Sequence, residues 1–374
     1  MTDTRNALDT GELARIREAI LRAEEAANGS GARRERRVED ILRDDIPTFM
    51  ELPLATKPEH LVGADAAVLG IPYEGITIKT PSLSAPPTVR PPEAGSIYWR
   101  MGAEEAPAAI RRLSMFYSIH HNRGWYPEID GDLLIGNELK MFDYGDVEVV
   151  PADTDETMRR AEARVQDIVS AGAMPITLGG DHTIPIPVLR ALLRDRDSKI
   201  GVISFDGHMD LSVTDEVWAS VEWTKTFELG KLSPKNLVEI GIRSNRSTIY
   251  ERTLAEALGV RVFTIDEVKR DGMERVIAEA IEIASDGTDG IYVSIDIDVM
   301  EPALVPAQKA PEIWGVTIDE MMVAMRALRS PDVIGFDICE LSPGYDVNGM
   351  SAQFCARMVV EVLAGLAQRK RAAG

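Results

Sequence analysis

The pattern of apolar and polar positions divides the chain into an N-terminal extension and a longer body. Residues 11–27 predict an amphipathic helix, because their apolar residues recur at helical spacing. We expect residues 1–60 to form an extension that lies on the body or on a neighbouring subunit. Over residues 61–374 the pattern becomes one of short β-branched runs that alternate with helical periodicity. This change predicts a single large α/β domain after the extension.

Eight apolar runs in the body predict strands, at residues 66–71, 141–144, 174–178, 200–205, 237–242, 261–265, 291–295 and 333–338. Helical patterns lie between most of them, at about residues 154–171, 184–194, 247–258, 272–285 and 317–329, with a last one at 351–370. Continuously apolar strands separated by helices indicate a parallel sheet that is covered on both faces. A closed eight-stranded barrel is the alternative. The long gap between the first two strands breaks the even rhythm of a barrel and favours the open sheet.

That gap contains two segments that predict irregular loops. Residues 80–93 include five prolines, which impose an extended course on the backbone. Residues 120–138 are rich in turn-forming residues. Long loops in a compact domain are often functional lids, and a plain surface excursion is the alternative.

Composition narrows the classes of partner. The chain of 374 residues has 61 acidic and 41 basic side chains and a net charge of −20. This charge argues against nucleic acid or an anionic membrane and suits a metal ion or a cationic small molecule. Two cysteines cannot form a disulfide framework, so we expect a reducing compartment. With no run of about 18 apolar residues and no apolar signal region at the start, we predict a cytoplasmic protein.

Carboxylates and imidazoles follow four of the predicted strands. They are Asp181 and His182, then Asp206, His208 and Asp210, then Asp296 and Asp298, and finally Asp337 and Glu340. The carboxyl ends of parallel strands share one edge of an open sheet, where ligands bind. Residues two apart on an extended chain also point the same way. We therefore expect these side chains to converge, although a single D-x-D or G-D-H would more often be a cap or a turn.

So many carboxylates at one edge require positive charge to compensate them. Hard carboxylate oxygens with imidazole nitrogens suit Mn²⁺, and also Ni²⁺, Co²⁺ or Zn²⁺. The candidate ligands are His182, Asp206, His208, Asp210, Asp296 and Asp298. They are too many for one ion with an open position and fit two bridged ions about 3.5–4 Å apart, which make hydroxide at neutral pH.

At these residues the sequence resembles the arginase/agmatinase (ureohydrolase) family. The similarity covers about residues 62–366, and its most specific stretches are GGDHTIPIPVLRAL (179–192), SFDGHMD (204–210), SIDIDVMEPALVPA (294–307), PEIWGVT (311–317) and GFDICELSP (335–343). The resemblance implies a three-layer αβα fold with an eight-stranded parallel sheet. It also implies a catalytic domain with a two-metal centre that hydrolyses guanidino groups, in homo-oligomers that are usually trimers or hexamers.

The resemblance also implies a role for each candidate. His182 and Asp210 would hold one ion, His208 and Asp298 the other, and Asp206 and Asp296 would bridge the two. Asp210 would in addition accept a hydrogen bond from the metal-bound hydroxide. Glu340 would pair with the substrate guanidinium, since a planar guanidinium and a carboxylate make a bidentate match. The products would be an amine and urea or a substituted urea.

The sequence departs from the family in the loop that follows D-x-H-x-D. The family usually has Ser-His-Gly there, and its histidine shuttles protons, whereas this chain has Val221 and Glu222 after Ser220. A histidine is the natural group for protonating a leaving amine near pH 7. We predict that His121 reaches in from its loop. His120, Glu222 or water are the alternatives, and an exposed turn is the simpler explanation of the histidine pair.

A second departure replaces the usual Gly-Thr-Gly by Ala307-Gln308-Lys309 and the following glycine pair by Trp314-Gly315. We expect the Lys309 amine to point away or to pair with an acid. Trp314 and Trp223 could floor the substrate pocket and attract a cation through their ring faces, or they could simply pack in the core. Glu222 is a further candidate for binding the substrate.

The sequence leaves several substrates possible. No residues in the loop after D-x-H-x-D are suited to binding an amino-acid carboxylate, so arginine is a poor candidate substrate. The remaining candidates are agmatine, guanidine, a guanidino acid or an alkyl biguanide such as metformin. The long extension and the proline-rich insertion resemble the guanidine- and biguanide-hydrolysing branch of the family. Two alternatives are a non-catalytic or regulatory subunit that supports an active paralogue, and a metal-dependent deacetylase on a related scaffold.

Overall fold

The computed structural model describes residues 18–19, 47–75, 100–129, 131–150, 153–194, 199–215 and 217–373. Residues 18 and 19, inside the helix predicted for residues 11–27, are helical, and the rest of that prediction lies outside the described residues. The proline-rich segment 80–93 also lies outside them.

The body is built on one open sheet of eight parallel strands. They are β1 (Ala66–Ile71), β2 (Met141–Asp146), β3 (Met174–Gly179), β4 (Gly201–Phe205), β5 (Leu237–Ile242), β6 (Arg261–Thr264), β7 (Ile291–Asp296) and β8 (Val333–Cys339). Their order is β2-β1-β3-β8-β7-β4-β5-β6, and each neighbouring pair is parallel. The open sheet is therefore confirmed, and the closed barrel is wrong because β2 and β6 end the order instead of pairing with each other.

Ten helices connect or flank the described strands. They are α1 (Ala106–Ser114), α2 (Ile135–Glu138), α3 (Thr154–Ser170), α4 (Pro185–Arg194), α5 (Glu222–Phe227), α6 (Ile249–Leu258), α7 (Ile265–Asp271), α8 (Met273–Ser285), α9 (Ile318–Ala327) and α10 (Met350–Ala373). Three of them, α6, α7 and α9, begin with a capping box in which a threonine and a glutamate satisfy each other's backbone N–H groups.

The helices cover both faces of the sheet. In β1, Ala66 and Val68 belong to one apolar core, whereas Ala67, Leu69 and Ile71 belong to the other. Because successive strand residues point to opposite faces, this alternation places one core on each side of the sheet. The result is the three-layer αβα arrangement that the resemblance implied.

Part of the predicted extension packs into this body. Phe49 and Met50 are fully buried, and the Phe49 N–H donates to Asp143 Oδ2 at 2.7 Å. Leu54 forms a parallel bridge with Asp143, which lies on β2. The segment of residues 47–59 therefore covers the β2 edge of the sheet.

Helix α10 is long and apolar enough to cross a membrane by length and composition alone. However, 78% of its most apolar stretch is buried inside the protein. It packs against α1 and β8 and is a core helix of this fold.

Candidate metal centre

Four neighbouring strands in the middle of the sheet deliver the candidate ligands. The strands β3, β8, β7 and β4 are consecutive in the sheet order, and each ends just before one of the predicted groups. His182 comes after β3, Glu340 after β8, Asp298 after β7 and Asp206 after β4. All four are buried. The prediction from strand ends thus brings together side chains that are far apart in the sequence.

The hydrogen bonds of His182 fix which ring nitrogen faces the cluster. Ser294 Oγ donates its only proton to Asp337 Oδ1 at 2.9 Å, so it accepts from His182 Nε2 at 3.1 Å. Asp337 is held in turn by the hydroxyl of Tyr292. Nδ1 of His182 is therefore the nitrogen directed at the carboxylates, which is how a second group behind a histidine orients it toward a metal.

Four carboxylate oxygens surround His182 Nδ1. The distances are 2.9 Å to Asp210 Oδ2, 3.0 Å to Asp206 Oδ2, 3.1 Å to Glu222 Oε1 and 3.6 Å to Asp296 Oδ2. A nitrogen lone pair and carboxylate oxygens repel each other at these distances unless a proton or a metal ion lies between them. This group is one candidate ion position.

A second group lies beside the first. His208 Nδ1 is 3.0 Å from Asp298 Oδ2 and 3.5 Å from Asp206 Oδ1. Asp206 thus contacts both imidazoles, one through each oxygen. Two adjacent groups that share one carboxylate are the arrangement expected for two ions with a bridging ligand.

Each aspartate in the cluster has one oxygen fixed by the protein. Asp206 Oδ1 accepts the N–H of His208 at 2.6 Å, and Asp296 Oδ1 accepts the N–H of Asp298 at 2.7 Å. Asp298 Oδ1 accepts the N–H of Gly207 at 3.0 Å, and Asp210 Oδ1 accepts the hydroxyl of Ser220 at 2.9 Å. In all four, the other oxygen, Oδ2, is left to face the imidazoles.

The aspartates converge for a different structural reason than the one predicted from their spacing. The spacing of two residues suggested side chains on an extended strand, but β4 ends at Phe205 and residues Ile297–Val299 form a 3-10 helix. Asp206 and Asp296 instead fold back on the backbone two residues ahead, as in an Asx turn. The spacing of two residues therefore identified side chains that do converge, but the explanation that they lie on an extended strand was wrong.

The electrostatics of the cluster show how strongly its charges interact. Burial, followed by the charge of Asp210, raises the pKa of Glu222 well above its ordinary value. Burial would raise the pKa of Asp210 too, but hydrogen bonding to His182 lowers it. Burial alone would lower the pKa of His182, yet Cys339, Glu222 and the aspartates raise it well above the usual range. These shifts indicate that the arrangement favours positive charge between the carboxylates, as a proton or as a metal ion.

The buried polar atoms fit a cation. Among the described residues, Asp206 Oδ2, Asp298 Oδ2, Glu222 Oε1 and His208 Nε2 are buried and have no hydrogen-bond partner. Orphaned buried oxygens cost free energy unless an ion satisfies them. Asp181 differs, because its two oxygens accept hydrogen bonds from Thr183 and from the N–H of Gly75. It is a structural capping group and not a candidate ligand.

Glu340 lies at the rim of the cluster and pairs with Lys309. Its backbone is in the left-handed region, with φ 64°, and Oε1 accepts the N–H of His182 at 2.8 Å. Lys309 Nζ is fully buried and lies 3.6 Å from Glu340 Oε1 and 3.2 Å from Glu74 Oε1. Burial raises the pKa of Glu340 to about 8, while Lys309 lowers it. The expected pairing of Lys309 with an acid is therefore observed, with two acids.

The structure does not bring His121 to the cluster. His120 and His121 are exposed on the loop that leads into the start of β2. Asp132 of the same loop pairs with Arg371 at the end of α10, and Lys140 binds Asp65 just before β1. Because loops that precede parallel strands lie at their amino ends, this loop occupies the edge opposite the candidate ligands.

The two tryptophans also differ from the prediction of a pocket floor. Trp223 is fully buried, and its ring packs edge to face against His182 at 5.8 Å between centroids. It supports a candidate ligand from behind. Trp314 is 53% exposed, with φ 66°, in a loop whose backbone is bound by Arg243. Neither ring contacts a cation of the described residues at cation–π distance.

Sequence reasoning missed two supporting groups. Arg243 donates to the carbonyls of Asp298 at 2.6 Å and Glu312 at 2.7 Å, and thereby joins two loops at the centre. It directly follows the strand β5, so its position at a strand end was visible in the sequence. Glu74 follows β1 and could have been found in the same way, since strand ends supply the other groups.

Comparisons with known proteins agree with this geometry. The guanidinopropionase of Pseudomonas aeruginosa is 33% identical over 330 residues, which cover 86% of this chain and 92% of that enzyme. The mitochondrial guanidino acid hydrolase of Homo sapiens is 28% identical over 90% of both chains. Among solved structures, the proclavaminate amidino hydrolase of Streptomyces clavuligerus has a TM-score of 0.72 and 27% identity, covering 87% of this chain and 98% of its own.

The fold and the cluster define a class of protein. This class is the hydrolases that act on the C–N bonds of linear amidines. The particular family is shown by its sequence model, which matches residues 64–365. This chain belongs to the arginase family.

Proposed function

We propose that this chain is a binuclear-metal amidinohydrolase that cleaves a C–N bond of a small cationic guanidino compound. The products are an amine and urea or a substituted urea. The observation that carries the proposal is the set of carboxylates that each keep one buried oxygen directed at His182 or His208. Its general reaction is also that of the similar guanidinopropionase.

Two divalent ions, Mn²⁺ or Ni²⁺, fit these donors. His182 and Asp210 would hold one ion and His208 and Asp298 the other, with Asp206 and Asp296 between them. When bound, the ions supply a water molecule of lowered pKa as the nucleophile. The protein positions these donors through the hydrogen bonds to their other oxygens.

Glu340 would hold the guanidinium of the substrate. When both are ionised, Glu340 and Glu74 carry two negative charges, and Lys309 supplies one positive charge between them. One negative charge is left for a cation, which makes a charge-assisted pair with a guanidinium. Bound substrate would lower the raised pKa of Glu340 and keep that carboxylate ionised.

Guanidino acids are the first substrates to assay, because the similar enzymes are a guanidinopropionase and a guanidino acid hydrolase. Agmatine, guanidine and an alkyl biguanide such as metformin complete the panel. The cytoplasmic location and the trimer or hexamer stay predictions.

The central test is the variant Asp210→Ala. We expect loss of one or both ions by elemental analysis and loss of turnover on every substrate, with little change in the folded far-UV spectrum. Glu256→Gln is the control, since Glu256 is 65% exposed and pairs with the exposed Arg252. Unchanged turnover in Asp210→Ala would disprove the centre, as would wild-type protein that binds at most one equivalent after reconstitution.

The alternative of a non-catalytic subunit has one observation in its favour. Lys309 occupies the neighbourhood of Glu340, and no described histidine replaces the missing loop histidine. The retained candidate ligands speak against it. To separate the two, the purified chain is loaded with Mn²⁺ or Ni²⁺ and assayed over the panel. Turnover that is absent for the chain alone and appears only when a paralogous subunit is added would favour the subunit role.

A further inference from the structure

Glu222 lies inside the cluster and repeats the geometry of the aspartates. Its side chain is fully buried at the first residue of α5. Oε2 accepts the N–H of Ser220 at 3.0 Å. Oε1 lies 3.1 Å from His182 Nδ1 and has no hydrogen-bond partner among the described residues. One oxygen is fixed and the other is free, as in the four aspartates.

We propose that Glu222 is an additional metal ligand and that it binds the same divalent ion as His182 and Asp210. The proposal rests on the proposed function, because it requires the two-ion centre. Carboxylate oxygen is a ligand that Mn²⁺ and Ni²⁺ both accept. The distances support direct coordination, since Glu222 Oε1 is about as close to Nδ1 as the oxygens of Asp206 and Asp210 are.

The surrounding structure holds Glu222 in this position. Ser220 connects the two acids, because its hydroxyl donates to Asp210 while its N–H donates to Glu222. The N–H of Ser212 binds the carbonyl of Ser220 at 2.9 Å, which closes the loop between them. On the other side, Trp223 packs on His182. The hydrogen bond from Ser220 thus orients the carboxylate toward a histidine whose ring Trp223 contacts from another direction.

This position favours metal binding over the two roles that the sequence suggested for Glu222. A substrate-binding or proton-shuttling carboxylate must present an oxygen to the pocket. Here Oε2 is bound by Ser220 and Oε1 faces His182. The residue thus adds a fifth carboxylate to the centre, whose charge two divalent ions alone do not balance. We expect the ion beside Glu222 to be held tightly and released slowly.

The test is a titration with Mn²⁺ alone, followed by electron paramagnetic resonance of the free ion. Glu222→Gln keeps the size of the side chain and an oxygen for the Ser220 N–H, but loses the anionic donor. We expect the Glu222→Gln variant still to bind two Mn²⁺ per chain, but one of them with an affinity on the order of tenfold or more below that of the wild type. Asp210→Asn should show the same pattern, and the exposed Glu256→Gln should match the wild type.

A second readout reports the ligand directly. The visible spectrum of Co²⁺-loaded protein depends on coordination number, and it should change in Glu222→Gln. Glu222→Asp, which keeps the charge on a shorter side chain, should bind Mn²⁺ with intermediate affinity, and it decides the matter if the glutamine variant fails to fold.

The possible outcomes are distinct. Wild-type affinity for both ions in Glu222→Gln, or in Glu222→Asp where only that variant folds, would overturn the proposal and leave the proposed function intact. Wild-type protein that binds fewer than two ions would refute the proposed centre itself. Weakened binding of one ion together with an altered Co²⁺ spectrum would establish Glu222 as a ligand.

Discussion

Replacing Lys309 by methionine tests the buried charges beside the metal centre. Its ammonium lies 3.2 Å from Glu74 and 3.6 Å from Glu340, and all three side chains are at most 4% exposed. Removing one partner of a buried ion pair typically costs about 3–5 kcal/mol, because the other charge stays buried without compensation. Here two carboxylates lose the same cation, so we expect the upper part of that range at pH 9, where the carboxylates are most ionised.

The assay is urea unfolding of the metal-free protein. Lys269→Met is the matched control, because Lys269 pairs with Glu320 at 2.6 Å at a site where both side chains are 24% exposed. Surface pairs contribute about 0–1 kcal/mol. The double variant Lys309→Met/Glu340→Gln should recover part of the loss, since it removes one of the two unpaired charges.

The loss should also depend on pH and on added cation. A buried carboxylate with a raised pKa contributes stability at low pH that is lost as the pH rises through its folded-state pKa, here about 8 for Glu340. Without Lys309 that pKa rises further, so the penalty should be greater at pH 9 than at pH 6. Millimolar guanidinium should restabilise the variant. A loss below about 1 kcal/mol with no effect of guanidinium would refute this account of the pocket.

Two further predictions concern buried charges outside the ligand set. Burial, and then the charges of Asp206 and Asp210, raise the pKa of Glu239, whose oxygens have no described partner. The free energy of unfolding of metal-free Glu239→Gln should therefore fall less between pH 6 and pH 9 than that of the wild type, as measured in urea. Parallel pH profiles of the two proteins would contradict this. Arg111 joins α1 to Asp143 through two hydrogen bonds of 2.8 and 3.0 Å. Arg111→Leu should cost about 3–5 kcal/mol by the same measurement, and a loss under 1 kcal/mol would be evidence against it.

The inner strands of the sheet were predictable because they are buried on both faces. A strand such as Leu237–Ile242 carries no polar face to interrupt its apolar run, and its predicted bounds match the structure. The helix Ile265–Asp271 was missed, because it begins directly after β6 with a capping box at Thr264 and Glu267. The sequence pattern there continues the strand to residue 265, whereas the backbone turns one residue earlier.

The metal cluster was predictable for a related reason. The ends of parallel strands meet at one edge, so motifs that directly follow strands identify the residues without any tertiary contact. Glu222 has no such marker, since it begins helix α5, away from any strand end, and only the fold brings it to His182. His121 was chosen by elimination among few histidines, and its position before β2 places it at the wrong edge.

The location of the candidate ligands on the four middle strands has a consequence for local unfolding. Amide groups in β6, which ends the sheet order opposite the bridged strand β2, can exchange with solvent through fraying of a single strand. Strands β3, β8, β7 and β4 each have hydrogen-bonded neighbours on both sides, so we expect them to open less readily than a strand at the end of the order. Ion release should therefore proceed through motion of the loops above the sheet, at a rate that is insensitive to mutations that loosen its margins.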